Sequence, residues 1–143
     1  MKVVHNLSVE AFLYPTEDFE RVKKALDLVL PEKAKIKKEK VESYYGPEIV
    51  KLSFGTDKLP EVRKMLDEIT TRLSKEDKRK VIETLDERMD SEGNLFLRFD
   101  KQKAYLGDLT LSYHGDVIKV RIKIASFPVN LQNIKYNAQI LFE

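Results

Sequence analysis

One short segment of the chain alternates between aliphatic and basic side chains without interruption. Its aliphatic members are Ile118, Val120, Ile122 and Ile124, and its basic members are Lys119, Arg121 and Lys123. Successive side chains of a strand point to opposite faces, so the pattern predicts a strand at 117–124 with one face in the core and one basic face outside it. We therefore expect a two-layer α+β fold, in which helices pack on one face of an antiparallel sheet.

The remaining elements also follow from hydrophobic periodicity. Five more strands are predicted, at 3–13, 34–44, 48–54, 95–99 and 109–113. Helices are predicted at 18–30, 59–73 and 75–89, with a weaker helical pattern at 129–142. Turns are predicted at Tyr45-Gly46-Pro47 and at His114-Gly115-Asp116, the second closing a hairpin between 109–113 and 117–124. No linker or repeat divides these elements, so residues 1–143 are expected to form a single domain.

The inward faces of these elements are expected to share one core. Its strand sets are Val50/Leu52/Phe54, Leu95/Leu97/Phe99 and Ile118/Val120/Ile122. Ser74 is the predicted N-cap of the helix at 75–89, and Asp77 occupies the capping-box position of that helix. Gly107 is expected to hold a positive φ, which glycine adopts without steric cost.

Composition excludes some classes of function. The chain has no cysteine, which rules out disulfides and thiolate chemistry and favours a cytoplasmic location. Residues 1–6 lack the apolar run of a signal peptide, and no stretch reaches the roughly 18 apolar residues of a membrane span, so no membrane partner is expected. The net charge is only +2 at pH 7, so any nucleic-acid binding must depend on where the positive charges lie.

Recognisable catalytic and metal-binding motifs are missing from the sequence. His5 and His114 belong to different predicted elements, and neither is part of an HExxH sequence. The chain also lacks the phosphate-binding loops GxxxxGK(S/T) and GxGxxG and the GxSxG nucleophile motif. We therefore expect no metal, no cofactor and no catalysis.

The basic row and a neighbouring aromatic form the first candidate RNA-binding site. Lys119, Arg121 and Lys123 lie in one row on one face of the predicted sheet, which suits a phosphate backbone. The alternatives are a solvated face paired with acids on a neighbouring strand, or lysines that guard a sheet edge. Phe96 and Arg98 lie on the outer face of their strand, where an aromatic beside an arginine can stack on an RNA base. The alternative for Phe96 is a second small core or a dimer interface.

The connection after that strand is the second candidate site. It contains Lys101, Gln102 and Lys103, followed by Ala104, Tyr105 and Leu106. We expect Lys101 and Lys103 to be exposed and to reach phosphate, and Gln102 to donate and accept hydrogen bonds. Tyr105 and Leu106 are expected to anchor this irregular segment to the core. The alternative is an ordered connection without a binding role.

Several segments of the chain resemble a known family. They are Pro15-Thr16-Glu17-Asp18, residues 22–31, Tyr45-Gly46-Pro47-Glu48-Ile49-Val50 and residues 92–107, of which Asp100-Lys101-Gln102-Lys103-Ala104-Tyr105-Leu106-Gly107 is the most specific part. Together they resemble the archaeal RNA-binding protein family described as a predicted exosome subunit. That family is similar in fold to the ribosomal protein of the large subunit that binds 5S rRNA. The resemblance implies the two-layer fold, suggests RNA binding with exosome or ribosomal components as partners, and implies no catalysis.

Two hypotheses follow from these patterns. The first is a non-catalytic RNA-binding protein linked to RNA processing by the exosome or to ribosome function. The alternative is a protein-interaction or homodimerisation module that uses the open sheet face. A positive outer face with isolated aromatics favours RNA, whereas a contiguous apolar patch on that face favours a protein partner.

Overall fold

The computed structural model of the chain describes residues 3–41, 46 and 48–143, and five strands in these ranges form one antiparallel sheet. The strands are β1 (Val4–Leu13), β2 (Lys37–Val41), β3 (Ile49–Thr56), β4 (Asn94–Asp100) and β5 (Val117–Ile124). Their order across the sheet is β2-β3-β1-β5-β4, and every neighbouring pair is antiparallel. The strand with alternating basic residues, β5, therefore lies inside the sheet.

Six helices occur in the same ranges. They are α1 (Phe19–Leu26), α2 (Leu59–Arg72), α3 (Lys75–Glu83), α4 (Leu85–Arg88), α5 (Lys101–Tyr105) and α6 (Leu131–Phe142). Each contributes buried side chains to one core shared with the sheet, including Val22, Met65, Val81, Leu85, Ala104 and Phe142. The predicted two-layer α+β fold is confirmed. Within the described part of the chain, no helix is both long and apolar enough to cross a membrane.

The inner face of the sheet is buried, whereas the outer face is open to solvent. On β5 and β4 the inward residues are at most 2% exposed; they are Ile118, Val120, Ile122, Ile124, Leu95, Leu97 and Phe99. The core also contains Leu7, Val9 and Ala11 of β1 and Leu52 of β3, with Val50 and Phe54 packed against it. The predicted core sets are therefore confirmed. Burying each of the larger side chains contributes about 1.5–3 kcal/mol relative to leaving it in water.

Caps and turns set the ends of two helices. Ser74 Oγ accepts a hydrogen bond from Asp77 N at 3.0 Å, which confirms the predicted N-cap of α3. The Asp77 carboxylate accepts from Leu111 N at 3.2 Å, so it ties α3 to the segment before β5. α1 is shorter than predicted. It ends at Leu26 and the chain continues in turns up to Pro31, whose ring disfavours a helical residue before it.

The helix predicted at 75–89 is interrupted at Thr84. α3 ends and α4 begins on either side of this residue, which has φ −115° and ψ 21°. The Thr84 hydroxyl donates to the Lys80 carbonyl oxygen at 2.6 Å. Thr70 makes the same kind of bond, to the Leu66 carbonyl oxygen, inside the continuous helix α2, so the break is defined by the non-helical backbone angles of Thr84. The apolar spacing continues through the break, so periodicity alone predicts one helix where two exist.

The hairpin predicted between 109–113 and β5 does not form. Both sides of β5 are occupied, by β1 and by β4. The 109–113 segment makes a single bridge instead, from Leu111 to Phe99 on the other side of β4. It therefore covers part of a sheet edge that would otherwise be open to pairing.

Two segments are more regular than their sequences indicate. The tail at 129–142 forms α6, which confirms its weak helical pattern. The connection at 101–107, predicted to be irregular, contains the short helix α5. The Asp100 carboxylate caps it by accepting from Lys103 N at 2.9 Å, and Gly107 follows with φ 98°, as predicted.

The turn predicted at Tyr45-Gly46-Pro47 lies largely outside the described residues, as does the end of the strand predicted at 34–44. The described part of that strand is β2. It pairs with β3 from Lys37 opposite Ser53 to Val41 opposite Ile49. The predicted strand pair is therefore confirmed for this part.

Two glycines with positive φ allow a test of how α6 packs against the turn before β4. A Cβ at Gly93 would lie 3.2 Å from Ile134 Cδ1 and 3.4 Å from Ile124 O, whereas one at Gly107 would meet nothing within 4 Å. We expect Gly107→Ala to lower the free energy of unfolding by about 1–2 kcal/mol, the cost of a left-handed alanine. Gly93→Ala should cost clearly more because Ile134 must also move. Urea unfolding measures both, and equal losses would contradict this packing.

Candidate nucleic-acid interface

Cross-strand register gathers four cationic side chains on the outer face of β4 and β5. Arg98 stands opposite Lys119, and Phe96 stands opposite Arg121. Lys123 continues the row along β5. We call Arg98, Lys119, Arg121 and Lys123 the basic cluster. Their neighbours on the other side of β5 are Glu10, Ser8 and Asn6 of β1.

No carboxylate in the described part of the chain forms a direct ion pair with the basic cluster. None of its four cations has a carboxylate oxygen there within 4.0 Å. Glu10 is the acid in register with Lys119, but its carboxylate lies 3.9 Å from Lys51 Nζ on β3. The alternative of a row paired with acids on a neighbouring strand is therefore not seen among these residues. The edge-guard alternative is wrong, because β5 is an interior strand.

Hydrogen bonds to neutral groups fix two of the four cations in place. Arg121 donates from Nε to Ser8 Oγ at 3.2 Å and from Nη1 to Asn94 Oδ1 at 2.8 Å. Lys123 Nζ donates to the Glu92 carbonyl oxygen. These bonds order the side chains without placing a carboxylate in direct contact with either cation. They use a minority of the guanidinium donors, so Arg121 can still bind a phosphate oxygen.

Asp90 supports this arrangement from the turn before β4. Its carboxylate accepts from Asn94 Nδ2 at 3.0 Å, from Asn94 N at 2.9 Å and from Glu92 N at 2.9 Å. The bond from the Asn94 side chain, with help from the charge of Lys123, holds the pKa of Asp90 below its ordinary value. Asn94 is thereby oriented toward Arg121. Sequence reasoning missed Asp90 and Asn94 because the segment has the composition of an ordinary turn.

Phe96 lies on the outer face, as predicted, and is half-buried there. The ammonium group of Lys119 stands over its ring, 5.0 Å from the ring centroid. Phe96 is not a member of the hydrophobic core of the described residues. The structure thus brings together five of the predicted site residues, namely Phe96, Arg98, Lys119, Arg121 and Lys123.

Lys101 does not belong to this surface, and the expectation that it is exposed is wrong. It is 2% exposed. Its Nζ donates to Glu17 Oε1 at 2.7 Å, to Asp116 Oδ2 at 2.7 Å and to the Phe12 carbonyl oxygen at 2.8 Å. The capping bond of Asp100 starts α5 at this lysine and places it between the end of β1 and the turn before β5. Lys101 therefore cannot reach a phosphate.

The other predicted residues of the connection after β4 divide between exposed and partly buried positions. Gln102 and Lys103 are exposed, but no contact in the described ranges joins them to the basic cluster. Tyr105 is half-buried under Arg21, whose Cζ lies 4.2 Å from the ring centroid. Leu106 is 74% exposed, so the prediction that it anchors the segment is wrong.

The two histidines are not part of the basic cluster. His5 and His114 are both exposed, near opposite ends of the sheet. Among the residues that the structure describes, no three His, Asp or Glu side chains form a group that could hold a metal ion.

The burial of Lys101 predicts a large loss of stability on its removal. Lys101→Met leaves the Glu17 and Asp116 carboxylates without their cation, and breaking a buried ion pair in this way costs about 3–5 kcal/mol. Lys103→Met, two residues along the same helix, should change the free energy of unfolding by no more than about 0.5 kcal/mol. Urea unfolding of the two variants checks this, and a small loss for both would contradict the buried position.

Known proteins resemble this chain in sequence and in fold. The sequence matches a family model described as RNA binding over residues 6–124. The RNA-binding protein PAB1135 of Pyrococcus abyssi is 36% identical over 135 residues, covering 91% of this chain and 88% of that protein. Protein AF2318 of Archaeoglobus fulgidus has a TM-score of 0.87 at 30% identity, over 96% of this chain and 99% of its own. Mth689, a DUF54 protein of Methanothermobacter thermautotrophicus, has a TM-score of 0.84 at 33% identity, over 99% and 100%. The chain therefore belongs to this RNA-binding family, also named DUF54.

Proposed function

We propose that this chain is a non-catalytic RNA-binding protein and that the outer face of β4, β5 and β1 is its binding surface. The observation that carries the proposal is the basic cluster, whose cations have no carboxylate within 4.0 Å in the described residues. Cations held by neutral groups gain more from a phosphate than cations already paired with an acid. The name of the relative PAB1135 and the description of the family support the same partner.

Aromatic rings among the cations favour single-stranded RNA. Phe96 is half-buried in the middle of the cluster, and Phe12 of β1 is 37% exposed on the same face. Bases of a single strand can stack on such rings, whereas bases in a duplex are already stacked on one another. The surface therefore suits an unpaired strand laid across the sheet.

The rival hypothesis of a protein partner on the open sheet face has less support. The most exposed apolar side chains of the described residues, apart from Leu106 and Tyr113, lie in the C-terminal segment; they are Phe127, Val129, Leu131, Tyr136 and Ile140. The outer face is mainly polar and positive. A cytoplasmic location, a homodimer, and an exosome or ribosomal component as partner rest on the sequence and its resemblance, and we retain them as proposals.

The salt dependence of RNA binding tests the basic cluster. With four phosphate contacts, the logarithm of affinity for a single strand should fall with the logarithm of salt concentration at a slope of about −3. Arg98→Ala and Lys119→Ala should each reduce the magnitude of that slope by about 0.7, the value of one neutralised phosphate. The measurement is fluorescence anisotropy with a labelled single strand of mixed sequence at several salt concentrations.

Arg79→Ala is the matched control, because Arg79 is an exposed arginine on α3, on the helical side of the sheet. It removes the same charge and should leave the slope unchanged. An absence of binding at low salt, or equal slopes for all variants, would contradict the proposed surface.

A further inference from the structure

A small pocket lies at the end of the outer face, beside the last residues of β1. Its volume is about 290 Å³, close to the lower limit of ligand pockets. Its main side chains are Phe12, Tyr14, Arg98, Lys119, Glu10 and Asp116. The pocket thus combines two aromatic rings, two cations of the basic cluster and two carboxylates.

Buried hydrogen bonds hold two walls of this pocket in place. Lys101 donates to the Phe12 carbonyl oxygen at 2.8 Å and to Asp116 Oδ2 at 2.7 Å. It also donates to Glu17, whose carboxylate accepts from Tyr14 N at 3.0 Å. One buried ammonium group therefore positions three segments that meet at the pocket. A pocket formed before binding loses less entropy when a ligand enters.

Phe12 provides the exposed aromatic wall of the pocket. It is 37% exposed, and its ring centroid lies 6.5 Å from that of Tyr14. An exposed ring between cations is the arrangement on which an unpaired base stacks while the flanking phosphates meet the positive charges. Arg98 and Lys119 supply those charges at the same pocket.

Glu10 is the feature that phosphate binding does not explain. It lies in the pocket opposite Lys119, and its only ion-pair contact in the described residues is to Lys51 Nζ at 3.9 Å. A carboxylate repels phosphate, but it accepts hydrogen bonds from the amino groups of bases. Adenine, cytosine and guanine carry such an amino group. Uracil has a carbonyl oxygen in its place, and its one ring N–H donor lies between two carbonyl oxygens that a carboxylate repels.

We propose that this pocket binds one base of a single-stranded RNA, stacked on Phe12, and that Glu10 selects bases with an amino group over uracil. The proposal rests on the RNA-binding surface argued above and adds a base preference to it. Phosphate contacts position a strand without reading its sequence, so the preference arises at the pocket alone.

Short homopolymers test the preference. Oligo(A), oligo(C) and oligo(U) of roughly eight nucleotides fit the site sizes of single-strand binding domains. At one salt concentration, oligo(A) and oligo(C) should bind at least about tenfold more tightly than oligo(U), which is the value of one hydrogen bond to a charged acceptor. Glu10→Gln should remove most of this difference, because an amide donates as well as accepts.

Two control variants are needed. One distinguishes base selection by Glu10 from the loss of any negative charge, and the other distinguishes stacking on Phe12 from the loss of any exposed aromatic ring. Glu20→Gln removes the negative charge of an exposed glutamate on α1, on the helical side of the sheet, and should leave the preference unchanged. Phe12→Ala should weaken all three oligomers by roughly tenfold, the value of one base stack. Tyr136→Ala, at a 64% exposed ring on α6, should weaken none of them. Thermal unfolding confirms that each variant is folded.

The outcomes test the base preference of the pocket separately from RNA binding by the outer face. Equal, salt-dependent binding of the three oligomers by the parent would overturn the base preference and leave the RNA-binding surface in place. A preference that survives Glu10→Gln would overturn the role of Glu10. If the parent binds none of the oligomers at low salt, the proposed function fails, and the pocket fails with it.

Discussion

A slip of β5 by one residue against its neighbours would bury the cations Lys119, Arg121 and Lys123 and expose the aliphatic residues between them. The cost of burying unpaired charge excludes that arrangement. Because β5 lies between β1 and β4, its register also sets the positions of both neighbours. Burial of the aliphatic face of β5 in the core therefore specifies the register of the sheet. The same burial places the cations of β5 together on the outer face, where they form the basic cluster.

The buried Lys101 is the second interaction that links stability to the proposed site. Its ammonium group joins Phe12 and Glu17, which lie 89 and 84 residues away in the sequence, to Asp116 before β5. A buried cation of this kind is tolerated only when oxygen acceptors surround it. The same contacts position the end of β1 next to the turn before β5. The pocket that we assign to a base therefore depends on a buried lysine that also contacts Asp116, one of the residues lining the pocket.

The sequence pattern was sufficient where the determinants of structure are local. The period of two in β5 and the i, i+3, i+4 spacing in α2 and α3 predicted those elements, the open outer face and five members of the candidate site. Prediction failed where the contacting residues are distant in the sequence or where a single residue determines the local structure. The pairing of both edges of β5 excludes the hairpin with 109–113, and no local pattern contains that information. The break at Thr84 lies in the backbone angles of one residue, within a stretch whose apolar spacing is uninterrupted. The burial of Lys101 depends on residues far away in the sequence, so a lysine beside exposed polar residues was predicted to be exposed.

Nuclear magnetic resonance mapping of an RNA titration tests the central claim most directly. Backbone amide shifts of the ¹⁵N-labelled protein would be followed while a single-stranded RNA of mixed sequence is added. The largest perturbations are expected on β4, β5 and β1, at Phe96, Arg98, Lys119 and Arg121 and extending to Phe12. Perturbations confined to the helical side, or to the exposed apolar residues around α6, would contradict the assignment of the outer face as the RNA-binding surface.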